Sequence, residues 1–163
     1  MAIDNINLYF LYAFVQGGQR HVLESMNGKE LPFFLPQTHG DDLVFYLWHS
    51  NGKNTAYEFE YLYDMRAEFG SEVRFWFVNT TWAGENERRN AEKFAKDHRL
   101  DPGSILMDDR KEATATFQVF QLPAIIFVKR DNYVFRKLEG EFDEDQVRDA
   151  INELLVLPEY EDD

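Results

Sequence analysis

The chain reads as an α/β domain: a central mixed β-sheet sandwiched by helices, with an N-terminal β-hairpin as an extension. Three features predict this. Short, nearly continuous apolar runs at Asp42–Trp48, Val73–Asn79 and Ala124–Lys129 have the length and pattern of strands covered on both faces. Stretches with helical spacing of apolar residues alternate with them, the order that builds parallel strands with crossover helices. The chain then closes with strand, turn, strand and helix, which makes the sheet mixed.

Taken in order, residues 1–21 are expected to form an N-terminal extension packed on the domain. Their apolar core, Ile6–Val15, is far short of the roughly 20 residues that cross a bilayer. Asp4 precedes it, no Lys or Arg flanks its start, and no small-x-small cleavage site follows, unlike a signal peptide. A cytoplasmic location is expected on that basis. Residues 22–157 make the main domain, and 158–163 an acidic tail.

Val22–Leu35 predicts a hairpin turned at Asn27-Gly28, the favoured two-residue turn. Pro32 and Pro36 place it at a sheet edge, because proline cannot donate to a ladder. His39-Gly40-Asp41-Asp42 turns into the first core strand. The polar stretch 49–54 follows that strand, and then a helix over 55–69 with Phe59, Leu62, Tyr63 and Phe69 on its buried face and Gly70 at its end. After the second strand comes a helix over 85–98, with Ala91, Phe94 and Ala95 facing inward. Asp101-Pro102-Gly103 is a turn, and Ile105–Met107 a short strand. Asp108 or Asp109 caps a short helix reaching about Phe117. Arg130-Asp131-Asn132 turns the last core strand into an antiparallel neighbour at Tyr133–Leu138. The final helix opens at Asp143 with Gln146 three residues on, a variant of the capping box. Val147, Ala150, Ile151 and Leu154 fall on one face of it.

Composition narrows the function. The 163 residues suit one domain with a proper core. Aromatics at 16% either fill that core or form an exposed surface for a partner. The formal charge of −13 opposes contact with phosphate backbones and anionic membrane surfaces, so nucleic-acid binding is not expected, and no apolar run is long enough for membrane insertion to be expected. The same charge either speeds encounter with basic protein partners or serves only solubility. There is no cysteine, which excludes disulfides, thiolate nucleophiles, iron–sulfur clusters and Cys-ligated zinc.

Several stretches resemble the thioredoxin superfamily, especially its thiol-reductase branch of TlpA/ResA-like and peroxiredoxin-like proteins. Leu23–Lys29 resembles the opening hairpin of that branch. Leu43–Trp48 and Val73–Asn79 resemble its first two core strands, and Phe94-Ala95-Lys96 with Ile105–Asp108 its inserted helix and the segment after it. Ala115–Val128 resembles the stretch that carries the family's cis-proline. Leu138-Glu139-Gly140 and the helix beyond resemble its close. The likeness covers roughly Val22–Leu155.

In the family the first core strand delivers a Cys-x-x-Cys pair at a helix start, where the helix end lowers the thiol pKa. Aligned from the strand, those four positions are Asn51-Gly52-Lys53-Asn54. Aligned from the helix, they are Gly52-Lys53-Asn54-Thr55. Neither register contains sulfur. Asn54 or Thr55 is expected to cap the helix. The resemblance places Pro123 as the cis-proline and leaves the backbone of Leu122 open to an extended peptide. A recognition groove is then expected from Trp48, His49, Leu122 and Pro123. Trp82, just beyond the second strand, is either an interface anchor or a core cap.

No other chemistry has its residues in place. His21, His39, His49 and His98 show no metal-ligand spacing, and Asp108-Asp109 reads as a helix start. No phosphate loop or nucleophile elbow is present, and no cofactor is implied. Three functions follow. The first is a non-catalytic interaction protein: a scaffold, dedicated chaperone, assembly factor or fixed subunit. The second is a peptide- or small-ligand-binding module. The third is an enzyme using His49 or Lys53, for which no nucleophile and base are placed together.

Overall fold

A computed structural model of the protein describes residues 21–34, 41–80, 84, 86–130 and 133–158. The strands are β1 (His21–Ser25), β2 (Glu30–Phe34), β3 (Asp42–Trp48), β4 (Val73–Thr80), β5 (Ile105–Asp108), β6 (Ala124–Lys129) and β7 (Tyr133–Glu139). The helices are α1 (Thr55–Phe69), α2 (Glu87–Asp97), α3 (Glu112–Thr116) and α4 (Glu144–Val156). One sheet runs in the order β2-β1-β5-β4-β3-β6-β7. β3, β4 and β5 are parallel, and the outer neighbours on both sides are antiparallel.

The hairpin is part of this sheet rather than an appendage, because β1 pairs with β5, Glu24 lying opposite Met107. β1 begins at His21, one residue inside the segment expected to be a separate extension. β2 carries Pro32 on the outer edge, where a missing N–H is tolerated. The turn between them is wider than the expected two residues. Ser25 donates its N–H to Lys29 O at 2.7 Å and Gly28 donates to Ser25 O at 2.9 Å, so Asn27 and Gly28 sit inside a longer loop with Gly28 at φ +88°.

β3 and β6 are buried at every position, as their continuous apolar runs require. Alternation along β3 sends Val44, Tyr46 and Trp48 to one face and Leu43, Phe45 and Leu47 to the other. The first face packs against α1, α2 and α4, and the second against α3 and Phe117. Aromatic rings fill the first core: Trp48 meets Phe59 edge-on at 4.8 Å, and Phe59 stacks on Phe77 at 5.5 Å. Among the described residues half of the aromatic side chains are buried, and only Tyr57 and Phe120 are exposed. Among the described residues the exposed large apolar side chains are Tyr57, Phe120 and Val156.

Helix α1 has the expected bounds but a different inner face. Phe59 and Leu62 are buried as expected, Tyr63 and Phe69 only half so, and Glu58, Tyr61 and Met65 complete the buried stripe. Glu58 is tolerated there because Tyr46 Oη donates to it at 2.7 Å, while burial still pushes its carboxyl above the usual range. Helix α4 opens with the predicted capping box: Asp143 accepts from Gln146 N, and Gln146 reaches back to Asp143 N. At the far end of β3, Asp42 forms an ion pair with the fully buried Lys129 at 3.1 Å, and Lys129 also donates to Leu154 O at 2.9 Å.

Asp108 caps α3, as one of the two expected candidates. Its oxygens accept from Glu112 N at 2.7 Å and Ala113 N at 2.9 Å. Burial outweighs those bonds and pushes its carboxyl from 3.8 to about 6. A raised native pKa adds stability that is full below 3.8 and lost as pH rises through about 6. The difference amounts to about 3 kcal/mol. Urea denaturation across that range is expected to show the slope, and Asp108→Asn to remove it. An unchanged slope in the variant would assign the effect elsewhere.

Candidate functional site

The carboxyl ends of β3 and β4, the start of α1 and the loop before β6 meet at one end of the sheet. Beyond β3 the chain turns on the carbonyl of His49, which accepts from Gly52 N at 3.2 Å and from Thr55 Oγ1 at 3.1 Å. Thr55 is buried, whereas Asn51, Lys53 and Asn54 are exposed. A Cβ placed on Gly52 would overlap Thr55 Oγ1 and lie 3.5 Å from Thr55 Cβ. That is the lower end of the Cβ–Cβ range of a disulfide, about 3.5–4.5 Å. The spacing of Gly52 and Thr55, the helix-based register, is thus one that a Cys-x-x-Cys bridge allows.

Two expectations are corrected here. Neither Asn54 nor Thr55 caps α1: Asn54 makes no side-chain cap bond, and the Thr55 hydroxyl turns back to His49. Trp48 does not line a groove. It is fully buried because it shares the strand face of Val44 and Tyr46 and packs against Phe59 and Phe94. His49 and Leu122 each lie two residues beyond the Leu47–Ala124 pair, so the register brings them to the same end of the ladder. His49, Leu122 and Pro123 are half-buried. Trp82, expected as an anchor or cap, lies outside the described residues.

The loop after β3 is held by a residue that sequence reasoning missed. Glu87, in the first turn of α2 and buried, accepts from Ser50 N at 2.5 Å, Ser50 Oγ at 2.6 Å and Asn79 Nδ2 at 2.8 Å. Asn79 also reaches Trp48 O at 3.4 Å. Glu87→Ala takes the acceptor from the Ser50 amide and hydroxyl and leaves Asn79 only the long contact to Trp48 O, at about 1–3 kcal/mol for each buried group left unpaired. The expected result is a lower urea midpoint and lost exchange protection at the Ser50 amide; an unchanged amide would mean the loop is held by other contacts.

The Leu122–Pro123 peptide bond is cis. Two side chains of β7 grip the loop before it. Glu139 Oε1 accepts from Phe120 N at 2.7 Å and Gln121 N at 3.2 Å, and Lys137 Nζ donates to Phe117 O at 3.1 Å and Gln118 O at 3.0 Å. Gly140, at φ +83°, donates to Pro123 O at 2.8 Å, and a Cβ there would press on Gln121 Oε1. The loop is thus pinned on both sides of Phe120, whose side chain remains 75% exposed. The backbone groups of Leu122 have no hydrogen bond among the described residues. No group of acidic or His side chains among the described residues has the arrangement to hold a metal ion.

A β3-loop-α1 corner with a cis-proline loop beside it, on a mixed sheet covered by helices, is the thioredoxin-like fold. Among solved structures, the chain is similar to a secreted Mycobacterium tuberculosis disulfide oxidoreductase homologous to E. coli DsbE, with 16% identity, TM-score 0.66, and 82% of this chain and 95% of that one covered. It is also similar to the exposed lipoprotein thioredoxin Etrx1 of Streptococcus pneumoniae, with 17% identity, TM-score 0.69, and coverage of 83% and 100%. MTB DsbF matches with 18% identity, TM-score 0.69, and coverage of 83% and 95%. At these identities the likeness is one of fold. No protein-family model and no curated protein sequence matches the chain. Having no cysteine, it brings no thiol of its own to the positions where the geometry would hold two. No helix among the described residues is long and apolar enough to cross a membrane.

Proposed function

We propose that the chain is a redox-inactive interaction protein: a scaffold, dedicated chaperone, assembly factor or fixed subunit of a larger complex. The observation that carries this reading is the pairing of Gly52 and Thr55, without sulfur, with a neighbouring loop gripped so that Phe120 stays exposed. The chemistry of the corner is gone, yet its surface is held rigid at the cost of ordering several charged side chains. A rigid exposed aromatic suits recognition, because little freedom remains to be lost on binding.

Affinity capture from the native source, followed by mass spectrometry, tests it. One dominant stoichiometric partner is expected, and no partner above background would sink the reading. The free backbone of Leu122 supports a second reading, a module that pairs with a short extended peptide. Saturable binding of short peptides in place of any large partner would favour that one.

A further inference from the structure

A cavity of about 410 Å³ opens between α1 and the end of α2. Small-molecule sites occupy about 300–1,000 Å³. It lies on the sheet face that carries those helices, whereas Phe117, Val119 and Leu122 around the gripped loop pack on the other face. Its walls are rings: Tyr57, Phe59 and Tyr63 from α1, and the imidazole of His98 from the end of α2. Packing fixes their places. Phe59 is buried, Tyr63 meets it edge-on at 5.8 Å, and His98 lies against Phe94 at 4.2 Å. Tyr57, 55% exposed, edges onto Tyr61 at 5.3 Å. Each side of the cavity also carries one charge, Glu60 on α1 and Arg99 just beyond α2. Both are exposed, and among the described residues neither side chain takes an ion pair or a hydrogen bond, with the other or with any third group. Arg99 stands where helices commonly end on glycine. α2 closes with Leu100 N donating to Ala95 O at 2.8 Å and Arg99 N to Lys96 O at 3.3 Å, and Arg99 has φ +55°. A Cβ is strained in that conformation, so the arginine is held there against the local backbone preference.

We propose that this cavity binds a free aromatic α-amino acid, its ring against Tyr57, Phe59 and Tyr63, its ammonium on Glu60 and its carboxylate on Arg99. The site is independent of the interaction reading above, which rests on the β3–α1 corner and the Phe120 loop. Three features set the ligand's chemistry. Walls made of rings favour a planar aromatic guest, which packs edge-on or offset against them. Two opposite charges that do not pair with each other call for a ligand carrying both signs, and an α-amino acid has them on one carbon. A ring bearing only a carboxylate would meet Glu60 as a like charge, and one bearing only an ammonium would meet Arg99 so, which discriminates against both. A guanidinium also matches the planar geometry of a carboxylate better than an ammonium does. The strained backbone at residue 99 fits the same use, because glycine would serve the turn but supplies no guanidinium.

Isothermal titration calorimetry of the full chain with L-phenylalanine tests it. Three companions each lack one feature: L-leucine the ring, 3-phenylpropionate the ammonium and 2-phenylethylamine the carboxylate. L-phenylalanine is expected to bind saturably and more tightly than any of the three. Arg99→Gly is expected to weaken L-phenylalanine and 3-phenylpropionate by about fivefold, the scale of a partly screened charge contact, and not to weaken 2-phenylethylamine. Glu60→Gln should show the reverse pattern, weakening L-phenylalanine and 2-phenylethylamine but not 3-phenylpropionate. Tyr57→Ser should weaken all three ring-bearing ligands. Arg99→Gly also separates binding from folding, because glycine relieves the strained turn: its urea midpoint should equal or exceed that of the parent chain while its affinity falls. No saturable binding of L-phenylalanine, equal binding of L-leucine, or affinities unchanged by both Arg99→Gly and Glu60→Gln would each overturn the proposal.

Discussion

A double variant carrying Gly52→Cys and Thr55→Cys is expected to close a disulfide between the two positions. The backbone already holds them as a bridge requires, with a Cβ on Gly52 lying 3.5 Å from Thr55 Cβ. Gly52 is outside the left-handed region, so a side chain meets no backbone penalty there. The steric conflict is with the Thr55 hydroxyl, which the second substitution removes. The change forfeits the Thr55–His49 hydrogen bond, about 1 kcal/mol. It also places a thiol at the amino end of α1, where the helix end favours the thiolate. Oxidation should lower the mass by two hydrogens and leave no titratable thiol. The reduced variant should then reduce a model disulfide, whereas the parent chain has no thiol to do so. The pair at Asn51 and Asn54 is the control for the other register. Two persistent free thiols at 52 and 55, or preferential bridging at 51 and 54, would overturn the placement.

Replacing Lys129 by Ala is expected to cost about 3–5 kcal/mol, the scale for stripping one partner from a buried pair. Lys129 is fully buried, and its ammonium joins Asp42 at the start of β3 to the last turn of α4 through Leu154 O. Asp42 also accepts from Arg130 N at 3.0 Å, so one buried carboxylate organises the amino end of β3 and the end of β6. Without the ammonium, Asp42 becomes a buried charge with only an amide to hold it. Against a typical stability of about 5–15 kcal/mol, the loss would remove much of the folded population at elevated temperature. The double change Asp42→Leu with Lys129→Met should recover most of it, because two apolar side chains need no partner. Urea denaturation of the two variants decides the matter. A loss under about 1 kcal/mol for Lys129→Ala would mean that water reaches the pair. The pair lies at the end of β3 opposite the candidate site, so neither variant should alter binding there.

Much of the fold was legible because its signals are local. The β3 and β6 runs are continuous and apolar, and both are buried throughout. Asp143 and Gln146 are three residues apart, so their capping box can be read from a short window. The candidate site was less legible. Aligning inward from β3 and inward from α1 gives answers one residue apart, and a choice between them turns on a spacing such as that of Gly52 to Thr55, which no short window of sequence contains. Trp48 was expected at a groove because the resemblance sets the end of β3 beside the cis-proline, although its two-residue spacing from Tyr46 already placed it on the packed face. Phe120 gave no signal, since one aromatic in an irregular loop reads as core or surface equally.

By itself the sequence determined the order of strands and helices, the helix start marked by Asp143, the Asp108-Asp109 pair as the start of the short helix, the net negative charge and the absence of any thiol. Each of these depends on residue identity or on neighbours within one turn. Tertiary structure alone decided which distant groups meet. Asp42 finds Lys129 across 87 positions, Ser50 finds Glu87 across 37, and Phe120 finds Glu139 across 19. A carboxylate carries no mark of which amide or ammonium it will take. That choice follows from strand register and helix packing, which bring the groups together and exclude the water that would otherwise satisfy them.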